Sequence, residues 1–170
     1  LVKFSATGTR IWGTYYGGPA REDGLNAAID AMGNVYLVGF TSSTTAIASG
    51  GFQNIYGGGV SFGDSFLVKF SPTGTRLWST YYGGTVDDYG VSVATDASGS
   101  VYLAGFTGST IGIASGGFQN TFAGNIYDGF LVKFDADGNR LWATYYGGIN
   151  EDIIYSVVAD ATGNVYVAGW

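Results

Sequence analysis

Histidine and cysteine are both absent from this chain, so its chemistry rests on carboxylates, tyrosines, lysines, arginines and hydroxyls. That excludes Ser-His-Asp triads, histidine general bases, histidine-bound zinc or iron, thiol nucleophiles and disulfide frameworks within the chain. Two carboxylate chemistries stay open: hard-cation binding through oxygen, and a carboxyl pair at a set separation for glycoside hydrolysis. The acids recur in equivalent places. Glu22, Asp88 and Asp152 correspond, and Asp87 corresponds to Glu151 while Arg21 takes that place nearer the N-terminus. Glu22, Asp88 and Asp152 are therefore the weak candidates for calcium ligands, and no cofactor or metal is the expectation. A catalytic pair should be unique to one place, whereas these acids repeat, so the favoured reading is structural, with no catalytic residue.

The other acids are turn formers. Asp30, Asp96 and Asp160 each open an Asp-x-x-Gly turn, whose backbone N–H groups an aspartate side chain can cap. Asp135, Asp137 and Asn139 resemble the start of a calcium loop, but their equivalents are Ser71, Thr73 and Thr75 and no glutamate stands at the twelfth position. Six of the seven basic residues sit at equivalent places: Lys3, Lys69 and Lys133, and Arg10, Arg76 and Arg140. Each lysine lies inside an apolar strand, where an ammonium needs a partner, and is expected to reach a carboxylate or carbonyls across a junction between units. The pairs Tyr15-Tyr16, Tyr81-Tyr82 and Tyr145-Tyr146 put one ring on each face of a strand. Tyr16, Tyr82 and Tyr146 are the candidate ligand platform, of the kind that stacks on sugars.

What must position these groups is a repeat. Leu1-Val2-Lys3-Phe4 returns as Leu67 to Phe70 and as Leu131 to Phe134. Gly33-Asn34-Val35-Tyr36-Leu37 returns at Gly99 and at Gly163, and Ala48 to Asn54 returns as Ala114 to Asn120. The unit is about 65 residues, and the two-residue difference between copies falls near Gly57-Gly58-Gly59. Abundant glycine among Val, Tyr, Phe, Trp and Thr, with two prolines, predicts short strands and tight turns in an all-β protein. Within the second unit strand A is expected at Gly90–Thr95, B at Ser100–Phe106, C at Phe130–Phe134 and D at Arg140–Tyr146. Four antiparallel strands per tandem unit describe the blade of a β-propeller. The chain divides into a half blade at 1–20 (strands C and D), blades at 21–84 and 85–148, and a half blade at 149–170 (strands A and B). The two halves are complementary, and three blades are too few to close a ring. Unpaired edges at both ends make further copies, or the rest of a longer repeat chain, the expected partner. The long B–C loops carry Phe52 and Phe118, which are expected to plug the loop onto its own blade.

Gly-Asn-Val-Tyr-Val-Ala-Gly, Gly-Gly-Phe-Gln-Asn, Asp-Gly-Phe-Leu-Val-Lys-Phe and Trp-Ala-Thr-Tyr-Tyr-Gly-Gly, in this chain, resemble the bacterial and archaeal SBBP (beta-propeller) repeats. The resemblance spans nearly the whole chain. It implies a secreted or cell-surface protein and no assigned reaction. Thr73-Gly74-Thr75-Arg76-Leu77-Trp78 is also similar to the tryptophan-docking motif of quinone-dependent dehydrogenase propellers. That similarity implies an inter-blade packing role for Trp12, Trp78 and Trp142 alone, and no quinone constellation accompanies it; the inter-blade role of Lys3, Lys69 and Lys133 rests on their place in apolar strands.

A net charge of −6 with seven Lys and Arg leaves too little positive surface to neutralise phosphates, so nucleic acid is excluded as a partner. No apolar run approaches the length of a membrane span. The resulting expectation is a structural or adhesive extracellular repeat protein that associates with its own kind. A carbohydrate-binding propeller is the alternative, and a carboxylate hydrolase a further one.

Overall fold

The computed structural model describes residues 1–170 and contains twelve strands and no helix. Strands β3 (Glu22–Ile29), β4 (Val35–Thr41), β5 (Asp64–Phe70) and β6 (Arg76–Tyr82) form one antiparallel sheet in that order. Strands β7 (Asp88–Thr95), β8 (Val101–Thr107), β9 (Asp128–Phe134) and β10 (Arg140–Tyr146) form a second of the same order. At the ends stand two-stranded sheets, β1 (Val2–Phe4) with β2 (Arg10–Gly13), and β11 (Ile154–Ala159) with β12 (Val165–Gly169). The fold is thus all-β, of four-stranded antiparallel sheets in a propeller-like succession that is not closed. Strand A of the second unit starts at Asp88 rather than Gly90, because Asp88 and Tyr89 already pair with Thr107 and Phe106.

The tight turns form as their residues demand. Asp30 accepts hydrogen bonds from the N–H groups of Met32 and Asn34, at 3.0 and 2.9 Å, and from the Asn34 amide at 2.8 Å. Asp96, Asp135 and Asp160 cap their turns in the same way. The Asp135 segment is accordingly a hairpin turn. Each C–D hairpin carries a bulge, which sends Ile11, Leu77 or Leu141 to the outside and leaves the adjacent tryptophan facing the next sheet.

The core lies between sheets, not within them. Because side chains alternate along a strand, Tyr36, Val38 and Leu67 of the first four-stranded sheet meet Val101, Leu103, Val132 and Phe134 of the second. Phe66, Val68 and Phe70 point the other way, towards Leu1 and Tyr16. Tyr102 and Ala104 meet Ile154 and Val157 of the last pair. The A strands form the inner succession, bridged by Thr95 Oγ1 donating to Ile29 O at 2.8 Å and Val157 N donating to Ser92 Oγ at 3.1 Å.

The outer edges are covered. Each B–C loop folds back on strand D, with Ser49 and Ser79 exchanging two 2.9 Å backbone bonds and Ser115 and Ala143 doing the same. This blunts the two edges most available for unwanted pairing. Phe118 does not plug its loop onto its own sheet, contrary to expectation, whereas Phe52 meets Tyr82 of its own sheet at 6.3 Å between ring centroids. Phe52 also lies under the guanidinium of Arg140 in the next sheet, 4.4 Å from its centroid, and Phe118 is 87% exposed. Backbone bridges between each loop and strand D hold the loops whether or not the phenylalanine packs.

Candidate functional site

The repeated acids are engaged by their own chain. Glu22 accepts from the hydroxyls of Thr41 and Ser43. Asp88 accepts from Thr107 Oγ1, from Ser109 Oγ at 3.0 Å and from Gly84 N at 2.8 Å. Asp152 accepts from Gly148 N at 2.7 Å. Asp88 and Asp152 therefore clamp the D–A connection, and Glu22 and Asp88 hold the end of strand B through a Thr-x-Ser pair. Asp87 is buried beside Asp88 and accepts from the N–H groups of Ser61, Phe62 and Gly63, pinning the longer loop of the preceding unit. Its burial opposes the charged form, and these N–H donors outweigh that and lower its pKa.

Sequence reasoning did not single out Asp64 and Asp128, which are fully buried at the starts of β5 and β9. Asp64 accepts from Gly57 N at 2.7 Å and Gly58 N at 3.1 Å, and Asp128 from Ala123 N at 2.7 Å. Burial pushes the Asp64 carboxyl up to about 7 and the Asp88 carboxyl up to about 6; Asp88 raises Asp64 further. Burial also raises Asp128. The Gly-Gly after each tyrosine pair is what admits these acids. A Cβ on Gly83 would lie 2.6 Å from Asp88 Oδ2 and 2.8 Å from Asp64 Oδ1. No group of three or more acidic side chains is arranged to hold a metal ion.

The tryptophans and lysines do work across junctions. Trp12 Nε1 donates to Pro72 O at 3.0 Å, and Trp78 Nε1 to Ala136 O at 2.9 Å; both acceptors lie in the C–D turn of the following sheet. The indole rings press on Gly74 and Gly138 of the same turns, where a Cβ would approach to 3.0 and 2.9 Å. Lys3 and Lys69 reach the same two carbonyls, at 3.4 and 2.9 Å. Lys69 also stands 5.3 Å from the Tyr36 ring centroid. Trp142 has no following C–D turn to meet, and Lys133 turns instead to Asp96 of its own sheet at 3.7 Å. The exposure pattern repeats this split. Trp78 is 6% exposed, whereas Trp142 borders an open groove with Phe118, Leu131 and Thr144.

The tyrosines divide the same way. Tyr16 OH donates to Ile47 O at 2.9 Å and Tyr82 OH to Ile113 O at 2.5 Å, each in the B–C loop of the next unit. Tyr82 is fully buried and so presents no ring face to solvent; Tyr16 is half-buried, and Tyr146 is 58% exposed. Of the three positions considered for stacking on a ligand, Tyr146 is the open one. The residues that the structure brings together at a repeated junction are therefore a tryptophan, a lysine and a tyrosine from one unit with a turn and a loop from the next. Two such junctions are filled within the chain.

No family model matches the chain. It is similar to an uncharacterized WD repeat-containing protein, L264, of Acanthamoeba polyphaga mimivirus, at 24% identity over 201 residues. It is also similar to the regulatory protein FlaEY of Caulobacter vibrioides, at 29% identity over 182 residues. Each match takes in 99% of this chain, yet the chain spans 14% of the first relative's length and 19% of the second's. These distant likenesses agree with a repeat protein of propeller-like architecture.

Proposed function

We propose that this chain is a structural or adhesive β-propeller repeat protein of the SBBP kind, secreted or displayed on a cell surface. Its work is to associate with further copies of its own repeat, as a ring, an array or a fibre. One observation carries the reading. The contact that joins neighbouring units is made twice inside the chain, by Trp12 on the Pro72 turn and by Trp78 on the Ala136 turn, so each unit is built to seat another of its kind. A relative named for its WD repeats supports an interaction role.

The carboxylates support scaffolding over hydrolysis or calcium binding, since Glu22 and Asp88 have their oxygens committed to Thr and Ser hydroxyls of the fold. The reading is non-enzymatic, with no nucleic acid or membrane partner. Electron-microscope images of the purified native particle test it. Rings, arrays or fibres built of one repeat are expected. Isolated particles the size of one chain would contradict it, and glycan-array binding lost on Tyr146→Ala would put carbohydrate recognition in its place.

A further inference from the structure

We infer that the units are keyed to one another, so that each four-stranded sheet accepts as its neighbour only a strand A carrying the residue that complements its own face. The inference goes beyond the association reading, because it concerns two junctions inside the chain and holds whatever the chain binds. Both junctions bring the same three positions together: one in strand B, one near the start of strand C, and one in strand A of the following unit. At the first junction these are Val38, Ser65 and Gly90, and at the second Ala104, Gly129 and Ile154. Bulk changes sides between them. At the first junction the sheet supplies it: a Cβ on Gly90 would run into Ser65 Oγ and lie 2.7 Å from Val38 Cγ2. At the second the following strand supplies it: Ile154 packs with Ala104, and a Cβ on Gly129 would lie 2.8 Å from Ile154 Cγ1.

All six positions are buried, and close-packed interiors tolerate exchanges that conserve volume far better than those that add or remove it. Neither glycine is demanded by its backbone, since neither Gly90 nor Gly129 has a positive φ. Gly90 is crowded wholly by the preceding sheet, through Ser65, Val38 and the Gly39 carbonyl. Gly129 is crowded by Ile154 ahead of it and by Tyr146 O of its own sheet, 2.9 Å from its Cβ position. Ser65 holds the same place opposite Tyr82 that Gly129 holds opposite Tyr146, so the paired strand is compatible with a side chain there. Ser65 Oγ has no hydrogen-bond partner, so what it brings to the junction is bulk. A second key stands at the rim. Asp87 accepts the N–H groups of Ser61, Phe62 and Gly63, whereas at the next junction the loop is two residues shorter and Glu151 takes the place of Asp87. The consequence is an order of units. Against Val38 and Ser65, Ile154 has no room; against Ala104 and Gly129, Gly90 leaves a void. A further unit that docks on either kind of face must bring glycine to the first and a branched aliphatic residue to the second.

Transplanting one junction into the other tests the keying, with thermal unfolding of the full chain as the readout. Gly90→Ile alone forces a side chain into filled space and should lower the melting temperature by roughly 5–10 °C, or prevent folding. Val38→Ala with Ser65→Gly empties that space and should lower it too. The triple variant, which reproduces the second junction at the first, should melt above Gly90→Ile by about half of that loss or more, although it carries two further truncations. A triple variant that melts at or below Gly90→Ile, or that also fails to fold, would overturn the keying. The second junction gives a test of sign that begins from a void, not a clash. Ala104→Val should lower the melting temperature of the unaltered chain by a few degrees, since Ile154 already fills the space, and raise that of the Ile154→Gly chain. A change of the same sign in both backgrounds would overturn the inference, because a residue that merely packs within its own sheet responds alike in the two.

Discussion

Trp78 and Trp142 occupy equivalent places in equivalent strands, yet one is sealed in a junction and the other edges an open groove. Trp78 donates to Ala136 O and packs on Gly138. Trp142 has the same flanking sequence and no such turn to meet. The comparison teaches that these side chains are shaped by the unit that follows them, not by the sheet that carries them. A repeat of this kind is a half-made interface on each side, and what an equivalent residue contributes depends on whether its neighbour is present.

The largest expected difference comes from the tryptophans themselves. Trp78→Ala should destabilise the chain by about 3–5 kcal/mol, as removal of a buried aromatic does. Trp142→Ala should cost under about 1 kcal/mol in dilute solution, where the residue is only partly covered. Urea unfolding of both variants checks this, and equal losses would break the comparison. Next come the clamps. Asp88→Ala leaves Thr107, Ser109 and Gly84 N without their buried acceptor and should cost about 2 kcal/mol. Asp152→Ala loses one backbone donor and should cost less than about 1 kcal/mol in the same assay.

A pH effect of intermediate size separates the interior acids from the turn acids. Asp64 and Asp88 sit at about 7 and about 6, above their ordinary 3.8, because they are buried. The folded chain then holds more protons than the unfolded one between those values. Their contribution to stability is greatest in mild acid and declines as pH rises from about 4 to about 7. The melting temperature should fall by a few degrees between pH 5 and pH 8, at about 2–4 °C for each ~1 kcal/mol in a chain of this size. Asp64→Asn should flatten that slope, and a melting temperature that rises from pH 5 to pH 8 would contradict the cause given. Asp30, Asp96 and Asp135 act oppositely. Burial works against their charge, but hydrogen bonds from their own turns prevail and lower them, so their support is lost only as pH falls below about 4.

The smallest difference is between two glycines with the same backbone. Gly8 has φ +80° and Gly138 +86°, so alanine strains both alike. Only Gly138 meets an indole, at 2.9 Å from its Cβ position. Gly138→Ala should therefore cost about 1 kcal/mol more than Gly8→Ala, as read by thermal unfolding of the dilute chains.

Much of this was legible in the sequence. The repeated Leu-Val-Lys-Phe and Gly-x-Val-Tyr segments mark strands whose order and pairing the structure keeps, and Trp12 and Trp78 each donate to a turn of the following sheet. Other features depend on partners far along the chain. Asp88 lies 19 residues from Thr107 and 21 from Ser109, and no local pattern joins them, although Thr-x-Ser recurs at 41–43 and 107–109. Tyr82 could not be recognised as interior from alternation, since its strand does not show what covers either face. Asp64 and Asp128 stand just ahead of apolar runs, where a turn residue and a buried, loop-pinning carboxyl look the same.

Sedimentation velocity of the unaltered chain over a wide concentration range tests most directly whether the junction surfaces of this repeat join separate copies. Species at multiples of 17.7 kDa, growing with concentration and diminished by Trp142→Ala, are predicted. A single 17.7 kDa species at every concentration would contradict it.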